Sequence, residues 1–474
     1  MAVRRMPTVT DGVSSGRDTW LRLAEQLAAM LGVEAQAEFD GGNAVQAKAF
    51  DPEHEATALG TLVFRMPEAR RIKECERASV PPRIAGMPSA ELVRRKGDRL
   101  EIATEALEAA FFWLCVIPAR AESDELSGEG EVRSNFLDVD VAALDGVLAS
   151  LVPGWPDRRH RWPGQARFAA CLSHDIDIVH WGRARNSVRR VRRALGRGLR
   201  PRDRAKATLQ AFEELYQAAR YGHLRDSEVD LGRWLDLEQS LGVTATYFFA
   251  ALGRDADLND PIYKLGDVVK FRGRRCALGE ALNELAAGGA EIGLHGSIHS
   301  HDTVGTLTEE RKRLAGTGPE VCGVRQHYLR AQFPETFERQ REAGFTYDSS
   351  LGFNRRRGFR CGTSFPWQLE DWTAREDGAL LWELPLCVQD VTLPSTKTDR
   401  NIVVKNIEEA MDAVEETGGV LTILWHNYAY RADDLDARLG VYREIVEEIQ
   451  RRRAWITTGA TVIEHWARRR STGS

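Results

Sequence analysis

Five short polar clusters, each placed at the end of an apolar run, constrain this chain more than any other feature. They are Ser173-His174-Asp175-Ile176-Asp177, His295-Gly296-Ser297-Ile298-His299, Arg325-Gln326-His327-Tyr328, Glu383-Leu384-Pro385 and Trp425-His426-Asn427. The apolar runs before them cover residues 168–172, 290–294, 321–324, 380–382 and 420–424. Runs of this kind belong to strands buried on both faces, as in parallel sheets. In α/β barrels the catalytic groups come from the C-terminal ends of several strands. The order of the clusters therefore predicts one shared pocket.

The 474 residues suffice for about two or three domains. A hydrophobic content of 43% and a charged content of 28% are ordinary for a globular protein. The net charge of −5 gives no global affinity for polyanions, and no nucleic-acid motif is present, so a nucleic-acid partner is not expected. The seven cysteines are scattered, odd in number and without zinc-ribbon or CxxC spacing, which predicts reduced thiols and an intracellular protein. The first residues lack the apolar core of a signal peptide. No stretch approaches the roughly 20 apolar residues of a membrane span. A cytoplasmic location is expected.

Residues 1–160 hold none of the polar clusters and read as a smaller N-terminal α/β accessory domain. Residues 20–31 have the spacing of an amphipathic helix, and 58–64 and 100–102 read as strands. Trp155-Pro156 and Trp162-Pro163-Gly164 punctuate the junction, and the boundary is expected near residue 160. Residues 161–474 alternate apolar strands with helical stretches such as 278–287 and 406–416. That alternation implies a parallel sheet, as a barrel or an open doubly wound sheet, and about seven strands suit a barrel slightly short of eight. An insertion over about 181–230 is dense in arginine, including Arg189, Arg190, Arg192 and Arg193. It reads as a solvated surface insertion or as a phosphate-binding patch.

Asp175 and Asp177 flank one residue, so in an extended chain they point the same way. Such a pair can divide metal binding from base catalysis, although Asp-x-Asp also suits a turn or a helix N-cap. His295 and His299 share a face if the chain turns helically after Leu294. With a distant Asp they would form a two-His, one-carboxylate metal set; His301 competes for the second His position. Three of the eleven histidines fall within these seven residues. Arg325 can hold a carboxylate in fixed geometry. His426 can serve as a general acid or as a satisfied core residue.

Taken together, the ordered clusters resemble the polysaccharide deacetylase family, also called the NodB-homology or carbohydrate esterase 4 fold, over about residues 165–465. The resemblance implies an α/β fold, a distorted (β/α)7-type barrel. It implies Asp175 as base, with Asp177, His295 and His299 as ligands of a divalent metal, zinc foremost. It implies Arg325 as the residue that orients the base and His426 as general acid. Tyr328 is implied near the oxyanion, and His327, Asp348 and Asp390 beside the substrate. His327 stands where that family usually has Pro. Tyr347-Asp348-Ser349-Ser350 and Gly358-Phe359-Arg360-Cys361-Gly362-Thr363 are similar to a bacterial subgroup with an extra N-terminal domain. The activity so implied is hydrolysis of an acyl group, N-acetyl foremost, from a carbohydrate or sugar conjugate. Hydrolysis of a non-sugar amide, or carbohydrate binding without catalysis, are the alternatives.

Overall fold

The computed structural model describes residues 15–31, 33–39, 44–50, 58–67, 83–117, 135–153, 161–181, 230–253, 263–369, 380–394, 400–427 and 435–471. It also describes isolated positions between these blocks: 71, 73–75, 78, 155–156, 205, 208–209, 212, 216, 227–228, 256–257 and 259–261. The arginine-dense part of the insertion lies outside the described residues.

The first sheet contains β1 (Glu34–Phe39), β2 (Ala44–Phe50), β3 (Ala58–Arg65), β4 (Val93–Lys96) and β5 (Arg99–Ile102), in the order β1-β2-β3-β5-β4. β3 and β5 are parallel and the other pairs antiparallel. Helices Ser15–Met30, Thr104–Phe111 and Phe136–Leu151 pack beside it. Leu23, Leu27 and Met30 recur at helical spacing and are all buried.

The larger sheet begins with β6 (Ala169–Ile176), whose eight residues are buried throughout. β7 (His180–Trp181) and β8 (Ser227–Glu228) pair with each other. β9 (Thr246–Phe249) follows, then a hairpin of β10 (Val268–Phe271) and β11 (Arg274–Ala277). The remaining strands are β12 (Glu291–Gly296), β13 (Gly323–Gln326), β14 (Tyr347–Asp348), β15 (Trp367–Gln368), β16 (Trp382–Glu383), β17 (Val388–Gln389), β18 (Val420–Leu424) and β19 (Trp455–Thr457). Ten strands form a curled half-barrel in the order β15-β16-β14-β13-β12-β9-β6-β18-β17, with β19 added beside β6. Every pair in it is parallel except β15 with β16. One side of β6 is covered by β18. On its other side β19 takes Ala169 to Cys171 and β9 takes Ser173 to Ile176. The described strands thus run as an open path from β15 to β17.

Helices cover the sheet by the usual rule of a buried stripe. Helix Leu278–Ala287 buries Leu278, Ala281, Leu282 and Leu285, and helix Arg400–Thr417 buries Val403, Ile407, Ala410, Met411 and Val414. Because the strands are parallel, their C-terminal ends gather at one rim, and the polar clusters lie there.

Candidate metal centre

Asp175 lies near the C-terminal end of β6, and Asp177 lies one residue beyond that end. The parallel register sets His295 opposite Arg325 on β12 and β13. His327 follows β13 in a short turn, and His426 lies two residues past β18. Three donor atoms converge between these elements. His295 Nε2 is 2.8 Å from His327 Nδ1. Asp177 Oδ1 is 3.4 Å from His295 Nε2 and 3.8 Å from His327 Nδ1.

The outer nitrogens decide what this convergence means. His295 Nδ1 lies 3.0 Å from the Arg325 carbonyl, and His327 Nε2 lies 2.9 Å from the Asn259 carbonyl. A carbonyl only accepts, so these partners assign the ring protons to the outer nitrogens. The inner nitrogens then aim two lone pairs at each other, with a carboxylate oxygen beside them. One proton can bridge one such pair. Three converging lone pairs, each imidazole backed by a carbonyl, match the outer-shell pattern of a metal site. A tetrahedral ion about 2.1 Å from each donor separates its ligands by roughly 3.4 Å, which these three atoms approach. Asp177, His295 and His327 therefore fit a divalent ion.

Two further groups are held beside this trio. Arg325 is fully buried, and its Nη1 donates at 2.9 Å to both Asp175 Oδ1 and Ser173 Oγ. Its Nε and Nη2 donate to Ser349 O and Ser349 Oγ, each at 2.9 Å. Its guanidinium carbon stands 4.4 Å from the centre of the Phe248 ring. The Ser349 contacts fix the guanidinium, so that its Nη1 is held against Asp175 Oδ1. His426 Nδ1 donates to Asp390 Oδ1 at 2.6 Å, and the His426 N–H donates to Asp390 Oδ2 at 3.0 Å. Arg438 pairs with the same carboxylate. His426 Nε2 points back toward Asp177 Oδ2 at 3.7 Å. Burial disfavours the imidazolium, but Asp390, then Asp177 and Asp175, outweigh it and raise the His426 pKa to about 9. Burial likewise opposes ionisation of Asp177, yet with no ion between them the protonated forms of His295, His327 and His426 would hold its carboxyl well below the usual range.

The structure brings Asp175, Asp177, His295, Arg325, His327, His426 and Asp390 together. It does not bring His299 with them. β12 stays extended through Gly296, and the following turn carries His299 to the rim. There its side chain is 57% exposed and lies 3.4 Å from Asp257. The expected helical turn after Leu294 is absent, so the spacing of four that would align the two rings has no helix to act through. His301 is buried elsewhere, with Asp302 beside it. His327, expected beside the substrate, supplies the third donor of the converging trio. Asp348, also expected beside substrate, is fully buried and accepts from Gln340 and Ser350. Asp390 serves His426. Tyr328 stands at the mouth, 55% exposed, with backbone φ of 56° and its ring centre 4.3 Å from that of His327.

Sequence reasoning missed the layer that holds these groups. His174 Nδ1 donates to the Trp425 carbonyl at 2.7 Å, and its Nε2 lies 2.8 Å from Glu238 Oε1. Tyr247 and Tyr442 donate to the same Glu238 carboxylate at 2.7 and 3.0 Å. This buried knot ties the end of β6 to the end of β18. Ser173 and His174, the first two residues of the polar cluster that follows the run 168–172, were its signal in the sequence.

No family description matches the chain, and no curated protein matches it. Among solved structures, the chain is similar to a protein assigned to the polysaccharide deacetylases from Mycobacterium smegmatis, at 18% identity and a TM-score of 0.42, covering 65% of this chain and 94% of that one. It is also similar to Puue allantoinase, at 17% identity and a TM-score of 0.40, covering 66% of this chain and 94% of that one. A third is a protein from Pseudomonas aeruginosa PAO1 assigned to the polysaccharide deacetylases, at 17% identity and a TM-score of 0.39, covering 66% and 95%.

Proposed function

We propose that this chain is a metal-dependent hydrolase that removes an acyl group, N-acetyl foremost, from a carbohydrate or sugar conjugate. One observation carries the reading: a trio of converging donors stands between a carboxylate clamped by Arg325 and an imidazole backed by Asp390. Asp177, His295 and His327 would hold the ion, with zinc the choice that best suits two imidazoles and one carboxylate. A bound divalent ion of this kind polarises the acyl carbonyl and makes water a stronger acid.

The protein's own groups do the rest. Asp175 is the base that takes the proton of the attacking water, and Arg325 keeps it aimed. Asp390 keeps the His426 ring oriented and charged, so that Nε2 donates a proton to the leaving nitrogen or oxygen. The Tyr328 ring at the mouth is a platform for the sugar face. The half-barrel is read as a distorted (β/α)7-type barrel, and the first sheet and its helices as an accessory domain ending near residue 160. A cytoplasmic location accords with the scattered, odd-numbered set of seven cysteines.

The test is acetate release from a panel of N-acetylated and O-acetylated sugars by zinc-loaded protein, with Asp175→Asn as the control. Release that the variant abolishes supports the reading. Turnover only of non-sugar amides such as ureides would replace the substrate class. No turnover across the whole panel by metal-loaded protein would remove the hydrolase reading.

A further inference from the structure

The fourth polar cluster, Glu383-Leu384-Pro385, has no part in the chemistry above. Glu383 and Asp348 are register partners on the adjacent parallel strands β16 and β14, and both side chains are fully buried. Their donors are unequally shared. Asp348 Oδ1 accepts from Gln340 Nε2 and from Ser350 Oγ, and Asp348 Oδ2 from the Ser350 N–H, all at 2.7 Å. Glu383 Oε1 accepts one N–H, from Leu351 at 3.0 Å. Glu383 Oε2 is buried and receives no donor among the described residues.

Two buried carboxylates side by side cannot both be ionised, so one carries a proton. Three donors stabilise the charge on Asp348. The Glu383 oxygen that no donor reaches is the one placed to be a hydroxyl, and its natural acceptor is Asp348. Burial pushes the Glu383 carboxyl well above its ordinary value, and the neighbouring Asp348 charge adds to this.

The pair sits under the seat of Arg325. The intervening Ser349 accepts from Arg325 through its carbonyl and its hydroxyl, and its own hydroxyl donates to the Leu384 carbonyl at 2.8 Å, next to Glu383. Ser350 Oγ accepts the Gln326 N–H at 2.9 Å while donating to Asp348. Ser350 is thus tied to Asp348 directly, and Ser349 to the residue that follows Glu383.

We propose that Asp348 and Glu383 share a single proton, carried by Glu383, and act as a positioning pair that fixes the Ser349–Ser350 seat of Arg325. The link onward to Asp175 rests on the hydrolase reading; the shared proton does not.

Infrared difference spectroscopy on the full chain tests the proton directly. At about pH 9, ordinary carboxyls are ionised. A protonated-carboxyl C=O band should persist there in the wild type and vanish in Glu383→Gln. Absence of that band, or a band unchanged in Glu383→Gln, overturns the assignment. The positioning role predicts an asymmetry in hydrolysis of p-nitrophenyl acetate by zinc-loaded protein. Glu383→Gln keeps a donor toward Asp348 and should retain kcat within about twofold. Asp348→Asn turns an amide toward existing donors and should lower kcat by about tenfold or more, with KM and bound zinc unchanged, because small displacements of an orienting group cost that much. Equal losses in both variants, or none in either, overturn the positioning role. A protein that shows the band yet hydrolyses no ester would overturn the hydrolase reading and leave the shared proton standing.

Discussion

At the scale of single residues, each reactive group is set by the partner that faces away from the pocket. Asp175 owes its orientation to Arg325, and His426 owes its charge to Asp390. Asp175→Asn should therefore keep its metal and lose turnover by roughly 10²- to 10⁴-fold, measured as acetate release beside elemental analysis. Full turnover in that variant would take the base role from Asp175. For His426 the sign follows from its causes. Burial lowers the pKa and Asp390 is the chief group that raises it, to about 9. The acid form is then retained through neutral pH and lost on the alkaline side. Asp390→Asn leaves burial unopposed by its largest counterweight, so the alkaline limb of kcat/KM should move to lower pH. An unmoved limb would assign it to another group.

At the scale of elements, the apolar runs were legible because strands in a parallel sheet are buried on both faces, and residues 420–424 became β18 without adjustment. Asp175, Asp177, His295, Arg325 and His426 were legible for the same reason, since each lies at or near a strand end. The third donor of the trio, His327, was not. His295 and His327 are 32 residues apart and meet only through the register of β12 on β13. No local spacing records that register, whereas His295-x-x-x-His299 offered a spacing that only a helix could use. Gly296 makes room for the Gln326 and Ser300 side chains beside the end of β12. An added Cβ would lie 2.6 Å from Gln326 Oε1 and 2.8 Å from Ser300 Oγ. Gly296→Ala should displace the end of β12 and weaken metal binding about tenfold, as disturbance of outer-shell support does, measured by competition with a chelator.

At the scale of the whole molecule, the first sheet and the half-barrel share one hydrophobic core. The segment Gly358 to Pro366 is the strap between them. Leu137 N–H donates to the Gly362 carbonyl at 2.8 Å, and Gln26 Nε2 to the Pro366 carbonyl at 2.9 Å. Trp113 packs so closely on Gly362, whose φ is 66°, that a Cβ there would meet the ring at 2.3 Å. Asp138 accepts from Thr363 Oγ1 and from the Ser364 N–H and hydroxyl. Burial raises the Asp138 pKa from 3.8 to about 6 despite those bonds. The folded state thus holds the proton more tightly than the unfolded chain. Its contribution is full below about pH 4 and is lost as pH rises through about 6, by about 3 kcal/mol. Asp138→Asn should remove that downward slope from denaturant unfolding across the same window, and an unchanged slope would count against it. The central claim, that Asp177, His295 and His327 form a metal centre and His299 does not, is tested most directly by elemental analysis of the wild type beside His327→Ala and His299→Ala. The wild type and His299→Ala should each hold about one divalent ion per chain, and His327→Ala should lose it. Loss in His299→Ala with retention in His327→Ala would contradict it.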